Sequence, residues 1–313
     1  MHPSAETPGV TTTTFVPSPG RAPVTANAAC IASMLIWAVG FPLADQLLAT
    51  LPPVAVTALR LAFATAFLLP AWYLFDGAQA LRRADWPRGL AVGAAGMGLG
   101  ALLLIYGQKR TDGITTAVIA ATMPIVGITL ECVFDGRRLS WRLGFGVALS
   151  VIGGIAVYGA RMGHLDMGLG VASTLLSVVI FTWASRASVT ALPGLSAIGR
   201  TAVTVTGGAL VVFLVQLCLP LFGGAPIPWD LIGPREWSYA AIYGVGSMAL
   251  SQVLFLIGVA GLGIGVATMH INVAPFYVMV LSLAFGASWS WLAAAAAALV
   301  VLGVVIAQHR PPA

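Results

Sequence analysis

Charge is what this sequence lacks most. Of its 313 residues, 8% are Asp, Glu, Lys or Arg, against ~25% in ordinary soluble domains. A soluble chain of this size cannot cover its surface with so few charges. Lysine is nearly missing, since Lys109 is the only one. A phosphate-binding G-x-x-x-x-G-K-[ST] loop therefore cannot exist, and this chain carries no ATPase motif of that kind. Nor is there a mid-membrane lysine to hold retinal as a Schiff base. The three cysteines, Cys30, Cys132 and Cys218, stand far apart in apolar blocks without a C-x-x-C pair. They read as small buried hydrophobes, so no metal site, cofactor or disulfide framework is expected.

What is present is hydrocarbon. Hydrophobic residues make up 59% of the chain, arranged in long blocks from Ala28 to Ile306. A bilayer-spanning helix needs ~20 mainly apolar residues, and blocks of that length recur with short polar breaks. Ten spanning segments follow: 28–49, 54–75, 88–107, 113–134, 141–160, 167–187, 198–222, 238–259, 264–286 and 289–308. The fold class is thus an all-α membrane protein. The breaks hold Pro, Gly and charge, as in Leu51-Pro52-Pro53, Asp76 to Pro87, Gln108 to Asp112 and Gly223 to Glu236. Residues 1–27 precede the first segment. They are rich in Thr, Pro, Ser and Ala, have no apolar signal-peptide core, and read as a disordered tail. A second short tail covers 309–313.

The net charge of +5 is no nucleic-acid signal, because the basic residues fall mostly in short loops, where they orient membrane helices. With the N-terminus cytoplasmic, the inside carries Arg21, Arg82, Arg83, Arg88, Arg137, Arg138, Arg142, Arg186 and Arg310. The outside carries Lys109, Arg110, Arg161 and Arg235. Nine against four places both termini in the cytoplasm of a cell whose inner membrane the chain crosses.

The two halves repeat. Ala148-Leu149-Ser150-Val151-Ile152-Gly153 resembles Ala298-Leu299-Val300-Val301-Leu302-Gly303. Pro124 and Pro275 sit mid-segment in segments four and nine, at an offset of 151 residues. Gly93 and Gly107 match Gly244 and Gly258 at the same offset, and Arg60 corresponds to Arg200. Five helices per repeat is an odd number, so the second copy runs inverted. The expected units are 28–160 and 161–308, with a substrate site between them near the midplane.

These features resemble the drug/metabolite transporter superfamily, in its ten-helix, EamA-like branch. Trp37-Ala38-Val39-Gly40 is close to the family's Trp-Gly or Trp-Ser pattern in helix one. Arg60 lies near the start of helix two. Ala117 to Pro124 recurs as Ala267 to Pro275, and Asp135-Gly136-Arg137-Arg138-Leu139-Ser140 stands where the family has Gly-Glu, a basic residue and Leu-Ser. The chain departs from the pattern at Gly286-Ala287, which has no acid. It departs again at Val178, which occupies the place of a family tryptophan. Trp183 lies five residues later, ~140° round the helix, and does not inherit that role. Within the superfamily the chain looks most like amino-acid and metabolite exporters, aromatic amino-acid exporters included. The resemblance implies outward movement of small metabolites by alternating access. It also implies a cavity bounded by segments one, three, four, six, eight and nine.

Candidate site residues come from the rare polar and aromatic groups inside spans, which are costly there. Asp45 and Arg60 lie at similar depth on adjacent helices, either as a structural ion pair or as an outer gate. Glu131 and Arg200 read as interfacial. Segment nine reads His270-Ile271-Asn272-Val273-Ala274-Pro275, and the proline cannot donate to the carbonyl of Ile271, leaving that oxygen free. His270, Asn272 and Gln252 are therefore polar candidates for substrate binding. Trp37 and Met123 are candidates for an apolar wall, and the breaks at Pro124 and Pro275 are expected to line the cavity. Trp72, Tyr73, Trp86, Trp141, Trp229, Trp237, Tyr239, Trp289 and Trp291 lie near segment ends, where aromatic-belt anchoring is the default. An enzyme is disfavoured. There is no Asp cluster for Mg²⁺, and Ser251 with His270 lacks a nucleophile-turn motif. A membrane assembly protein has no need of paired mid-helix prolines. The expected partners are a small-molecule substrate and the lipid bilayer, with no nucleic acid.

The charge bias makes a topological prediction. A cysteine placed at Ala225, in a variant without native cysteines, should react with an impermeant thiol reagent added outside intact cells. Labelling only in inverted vesicles would reverse the orientation.

Overall fold

The computed structural model describes residues 22–136 and 165–286, with isolated positions between 141 and 149 and between 288 and 302. Segments five and ten, at 141–160 and 289–308, lie outside the described residues. The remaining eight segments are eight helices long and apolar enough to cross a membrane. They are α1 (Val24–Thr50), α2 (Pro53–Arg83), α3 (Trp86–Arg110), α4 (Gly113–Asp135), α5 (Gly168–Ala191), α6 (Ala197–Phe222), α7 (Pro234–Leu262) and α8 (Ile264–Leu283). The chain is a multi-pass membrane protein.

Local chemistry sets most of the ends. Pro52 is extended (φ −63°, ψ 149°) and Pro53 opens α2, because a proline N–H is not needed in the first turn. Asp85 accepts the Arg88 N–H at the start of α3 (3.2 Å). Asp112 accepts the Thr115 N–H at the start of α4 (2.8 Å). The Ser196 hydroxyl accepts the Gly199 N–H at the start of α6 (3.0 Å). Each cap satisfies an N–H that the first helical turn leaves unpaired. Gly263, at φ 79°, joins α7 to α8 through a conformation that residues with a Cβ rarely adopt.

Two boundaries differ from the sequence reading. The helix that carries α1 begins at Ala22, ahead of the segment read from 28, and includes the polar Thr25 and Asn27. Residues 76–83, expected as loop, continue α2 through a break at Gly77 (φ 78°, ψ 167°). That glycine lets the chain turn and restart a short polar helical stretch ending in Arg82 and Arg83.

The helices pack in matched pairs. The main contacts are α1 with α7, α3 with α5, α2 with α6, α4 with α8, α2 with α7 and α3 with α6. Small residues allow the close approaches. Gly93 of α3 faces the backbone of Thr204 on α6, Gly207 of α6 faces the backbone of Leu90 on α3, and Gly244 of α7 faces the carbonyl of Arg60. Trp72, expected at the interface, is instead fully buried. Its ring lies against Gly199 and 5.7 Å from Trp86 between ring centroids. The α2·α6 contact supplies an apolar slot that no hydropathy pattern reveals.

Four helices depart from α geometry near their midpoints. α3 carries a π segment at Ala94–Leu99 and α7 another at Ile242–Leu250. α4 breaks into a turn at Ala121 and Thr122 before Pro124, and α8 tightens to a 3₁₀ turn at His270–Val273 before Pro275.

The glycine contacts can be tested by thermal unfolding in detergent. Gly93→Leu or Gly207→Leu should destabilise by about 1–3 kcal/mol through overpacking. Gly168→Leu, at a glycine with open space around it, should leave the midpoint unchanged.

Candidate functional site

The interior holds a central cavity in two lobes. The first is lined by Trp37, Arg60, Gly96, Met97, Gly100, Ala101, Leu104, Ala120, Met123, Ser177, Val178, Phe181 and Met248. The second is lined by Met34, Trp37, Arg60, Met123, Phe181, Ser247, Met248, Ser251, Gln252, Phe255 and Ile271. Trp37, Arg60, Met123, Phe181 and Met248 belong to both, so the lobes adjoin. The cavity volume is about 40 Å³ in the first lobe and about 30 Å³ in the second. At ~10–15 Å³ per water, each holds only a few waters, so the walls stand close together.

The irregular helix segments build this space. Gly96 and Met97 come from the π segment of α3, and Ser247 and Met248 from that of α7. Ala120 and Met123 flank the α4 break, and Ile271 lies in the 3₁₀ turn of α8. A π segment adds a residue to the turn and re-aims the side chains around it. The walls are mostly apolar. Trp37 meets Phe41 edge-on at 4.7 Å between centroids, and Phe181 stacks on Phe255 at 6.1 Å.

Of the polar candidates, Gln252 lines the second lobe. It is 4% exposed, and its Nε2 has no hydrogen-bond partner in the protein. His270 and Asn272 line neither lobe. His270 turns back so that Nδ1 lies 3.3 Å from the Val266 carbonyl of its own helix. Asn272 is 1% exposed, among helices rather than against the cavity. Ile271, between them, is the residue of that turn which faces inward, and its neighbours point to either side. The carbonyl of Ile271 is not free, because the 3₁₀ turn lets it accept the Ala274 N–H. The break at Pro275 thus closes its own hydrogen bonds, and Pro124 follows a similar turn in which Thr122 donates to Ile119 O (2.7 Å).

Asp45 and Arg60 do not pair. Asp45 accepts from Gln108 Nε2 (2.8 Å) and from Gly113 N–H at the start of α4 (3.1 Å). Arg60 turns to the centre instead. It is 5% exposed, Nη1 donates to Tyr243 Oη (3.0 Å) and Nη2 to Met248 Sδ (3.2 Å). Its guanidinium also lies 4.3 Å from the Tyr243 ring centroid. The sequence could not show this, because a long, flexible side chain on α2 chooses its partner by the tilt of α7. Glu131 accepts the Gly265 N–H at the start of α8 (2.8 Å), and Arg200 donates to the carbonyls of Leu192 and Pro193 (2.9 and 3.0 Å). Asp135 forms an ion pair with Arg186. Trp183 faces outward at 38% exposure, while Val178 lines the cavity.

Residues 24–159 match the EamA-like transporter family. The match runs from α1 through α4 and into segment five. It therefore covers Trp37, Arg60 and Met123 of the cavity, while Gln252 and Phe255 lie beyond it. The family is one of membrane transporters, not of enzymes. A crystal structure described only as that of a protein superposes on this chain with a TM-score of 0.72 and 22% identity, covering 91% of this chain and 98% of the other. It shows that the fold is shared. No curated protein matches.

The partners of Asp45 can be checked by double-mutant cycles on thermal stability. Gln108 Nε2 also donates to the Phe41 carbonyl (2.9 Å), so Asp45→Ala leaves one Gln108 N–H and the Gly113 N–H unpaired and should cost about 1–3 kcal/mol. Coupling to Gln108→Ala should exceed about 0.5 kcal/mol, while coupling to Arg60→Ala should fall within the additive error. Rescue of one by the other would restore the ion pair.

Proposed function

We propose that this chain moves small organic metabolites, chiefly large neutral or aromatic amino acids, outward across the cytoplasmic membrane by alternating access. The observation that carries the reading is the central cavity, walled by Trp37, Phe181 and Met123 and reached by Arg60 and Gln252. Small-molecule sites are mostly apolar with a few convergent polar groups, and this one lies where seven of the eight described helices meet. A drug or other metabolite exporter of the same fold is the alternative.

The matched contacts, the π segments of α3 and α7 and the breaks of α4 and α8 support two inverted five-helix repeats, 28–160 and 161–308. In that arrangement the site lies between the copies, and rocking of one against the other exposes it to each side in turn. Two closures support such a cycle. Toward one end of the bundle, Asp45 of α1 holds the first turn of α4, and Lys109 donates to the Leu48 carbonyl. Toward the other, Glu131 of α4 holds the first turn of α8. Each is a short set of hydrogen bonds between helix ends, small enough to break while the helices stay intact. Arg82, Arg83, Arg88 and Arg186 gather at the Glu131 end, which favours that end, with both termini, facing the cytoplasm.

Flux of a panel of labelled amino acids into proteoliposomes tests the reading. Wild-type protein should carry at least one aromatic amino acid. Trp37→Ala and Gln252→Ala should fold and lower apparent affinity about tenfold to hundredfold, as expected for loss of one contact worth ~1–3 kcal/mol. His270→Ala should change it less, because that side chain lies off the cavity. Absence of flux for every metabolite tested would remove the transporter reading.

A further inference from the structure

Resting on that reading, we infer that the cavity recognises its solute by a carboxylate bound at Arg60, and that an ammonium group on the solute is dispensable. The natural ligand class is a monocarboxylate with an aromatic or apolar body.

The argument starts from uncompensated charge. Arginine carries a permanent positive charge, and Arg60 is buried in the centre of the bundle. Its two hydrogen-bond partners, Tyr243 Oη and Met248 Sδ, are neutral, and its Nε has no partner. Among the described residues that line either lobe there is no aspartate or glutamate. Asp45, the acid of the adjoining helix α1, is committed to Gln108 and Gly113. A buried cation without a counter-charge is costly, and it is retained in membrane proteins chiefly where it serves a function. The group that lowers this cost is an anion in the cavity. A guanidinium offers a planar fork of donors matched to the two oxygens of a carboxylate.

The rest of the second lobe agrees. Gln252 Nε2 is a second buried donor without a partner on the same wall. The hydroxyls of Ser247 and Ser177 are spent on the carbonyls of Trp37 and Gly100 (2.8 and 2.7 Å). An ammonium entering this space finds neutral oxygens at best and a fixed positive charge close by. It loses its hydration without gaining an ion pair. A carboxylate finds both donors. Trp37, Phe181 and Phe255 then supply the surface for an aromatic body. The cavity thus separates the two charged ends of an amino acid and pairs only one.

Purified wild-type protein in detergent, titrated with four solutes by calorimetry and by thermal shift, decides the matter. The solutes are 3-phenylpropionate, L-phenylalanine, 2-phenylethylamine and sodium chloride. 3-Phenylpropionate should bind at least as tightly as phenylalanine, and 2-phenylethylamine should not bind. Arg60→Gln should weaken the acid about tenfold to hundredfold, in line with a lost charge-assisted hydrogen bond, and Arg60→Lys should fall between. The amine binding as well as the acid overturns the inference, as does failure of the acid to bind. Wild-type affinity for the acid in folded Arg60→Gln also overturns it. Stabilisation by chloride alone overturns the organic-acid class. If neither variant folds, the wild-type series decides by itself. Proteoliposome flux separates the two levels of the argument. Acid that binds but is not carried sinks the transporter reading and leaves the site. Phenylalanine carried while the acid neither binds nor competes sinks the site and leaves the transporter.

Discussion

Everything in this molecule answers to one constraint: inside a bilayer the backbone must satisfy its own hydrogen bonds. Uninterrupted α-helix does so without help. Any departure needs protein around it, so departures collect where the helices enclose a centre. The π segments of α3 and α7, the turn before Pro124 and the 3₁₀ stretch before Pro275 all lie near the middle of their helices, and all border the cavity. The cavity exists because those four helices are irregular there. Side chains that a straight helix would press together are re-aimed around an open space.

The same low-dielectric surroundings give single polar groups large consequences. In a soluble protein Arg60 would reach water. Here it can reach only Tyr243, Met248 and the cavity, so its charge defines the chemistry of the space it faces. The acids have gone elsewhere. Asp45 and Glu131 each hold the N-terminal turn of another helix, where the dipole and unpaired N–H groups favour a carboxylate. Asp45 does so for α4 and Glu131 for α8, at opposite ends of the bundle. Placing the acids at the ends and the base at the centre leaves a few hydrogen bonds holding helix ends together on either side of a cationic core.

The glycines make this economy possible. Gly93, Gly207 and Gly244 bring backbone against backbone at α3·α6 and α2·α7. Such approaches fix where helices cross without using any polar group. They leave the few polar side chains free for the centre and the ends. They also keep α2 and α7 close enough for the Arg60 guanidinium to lie on the Tyr243 ring.

Composition and the spacing of apolar blocks by themselves determined that the chain crosses a membrane as helices, and they located eight of those helices to within a few residues at most ends. They could do so because burial in lipid is a property of each segment's own side chains. Two sequence-selected aromatic or soft residues, Trp37 and Met123, do line the cavity, since each sits beside a helix-perturbing Pro or Gly. What faces what was not legible. Arg60 leaving Asp45 for Tyr243, Trp72 entering the core, Ile271 rather than His270 or Asn272 turning inward, and the two π segments each depend on the rotation of one helix against another. That rotation is set by contacts between residues distant in sequence, such as Gly244 on the Arg60 carbonyl, and a single residue's shift in helical phase swings a side chain by ~100°. The tertiary structure alone decided it, because hydropathy records how much of a helix is buried and not which neighbour buries it.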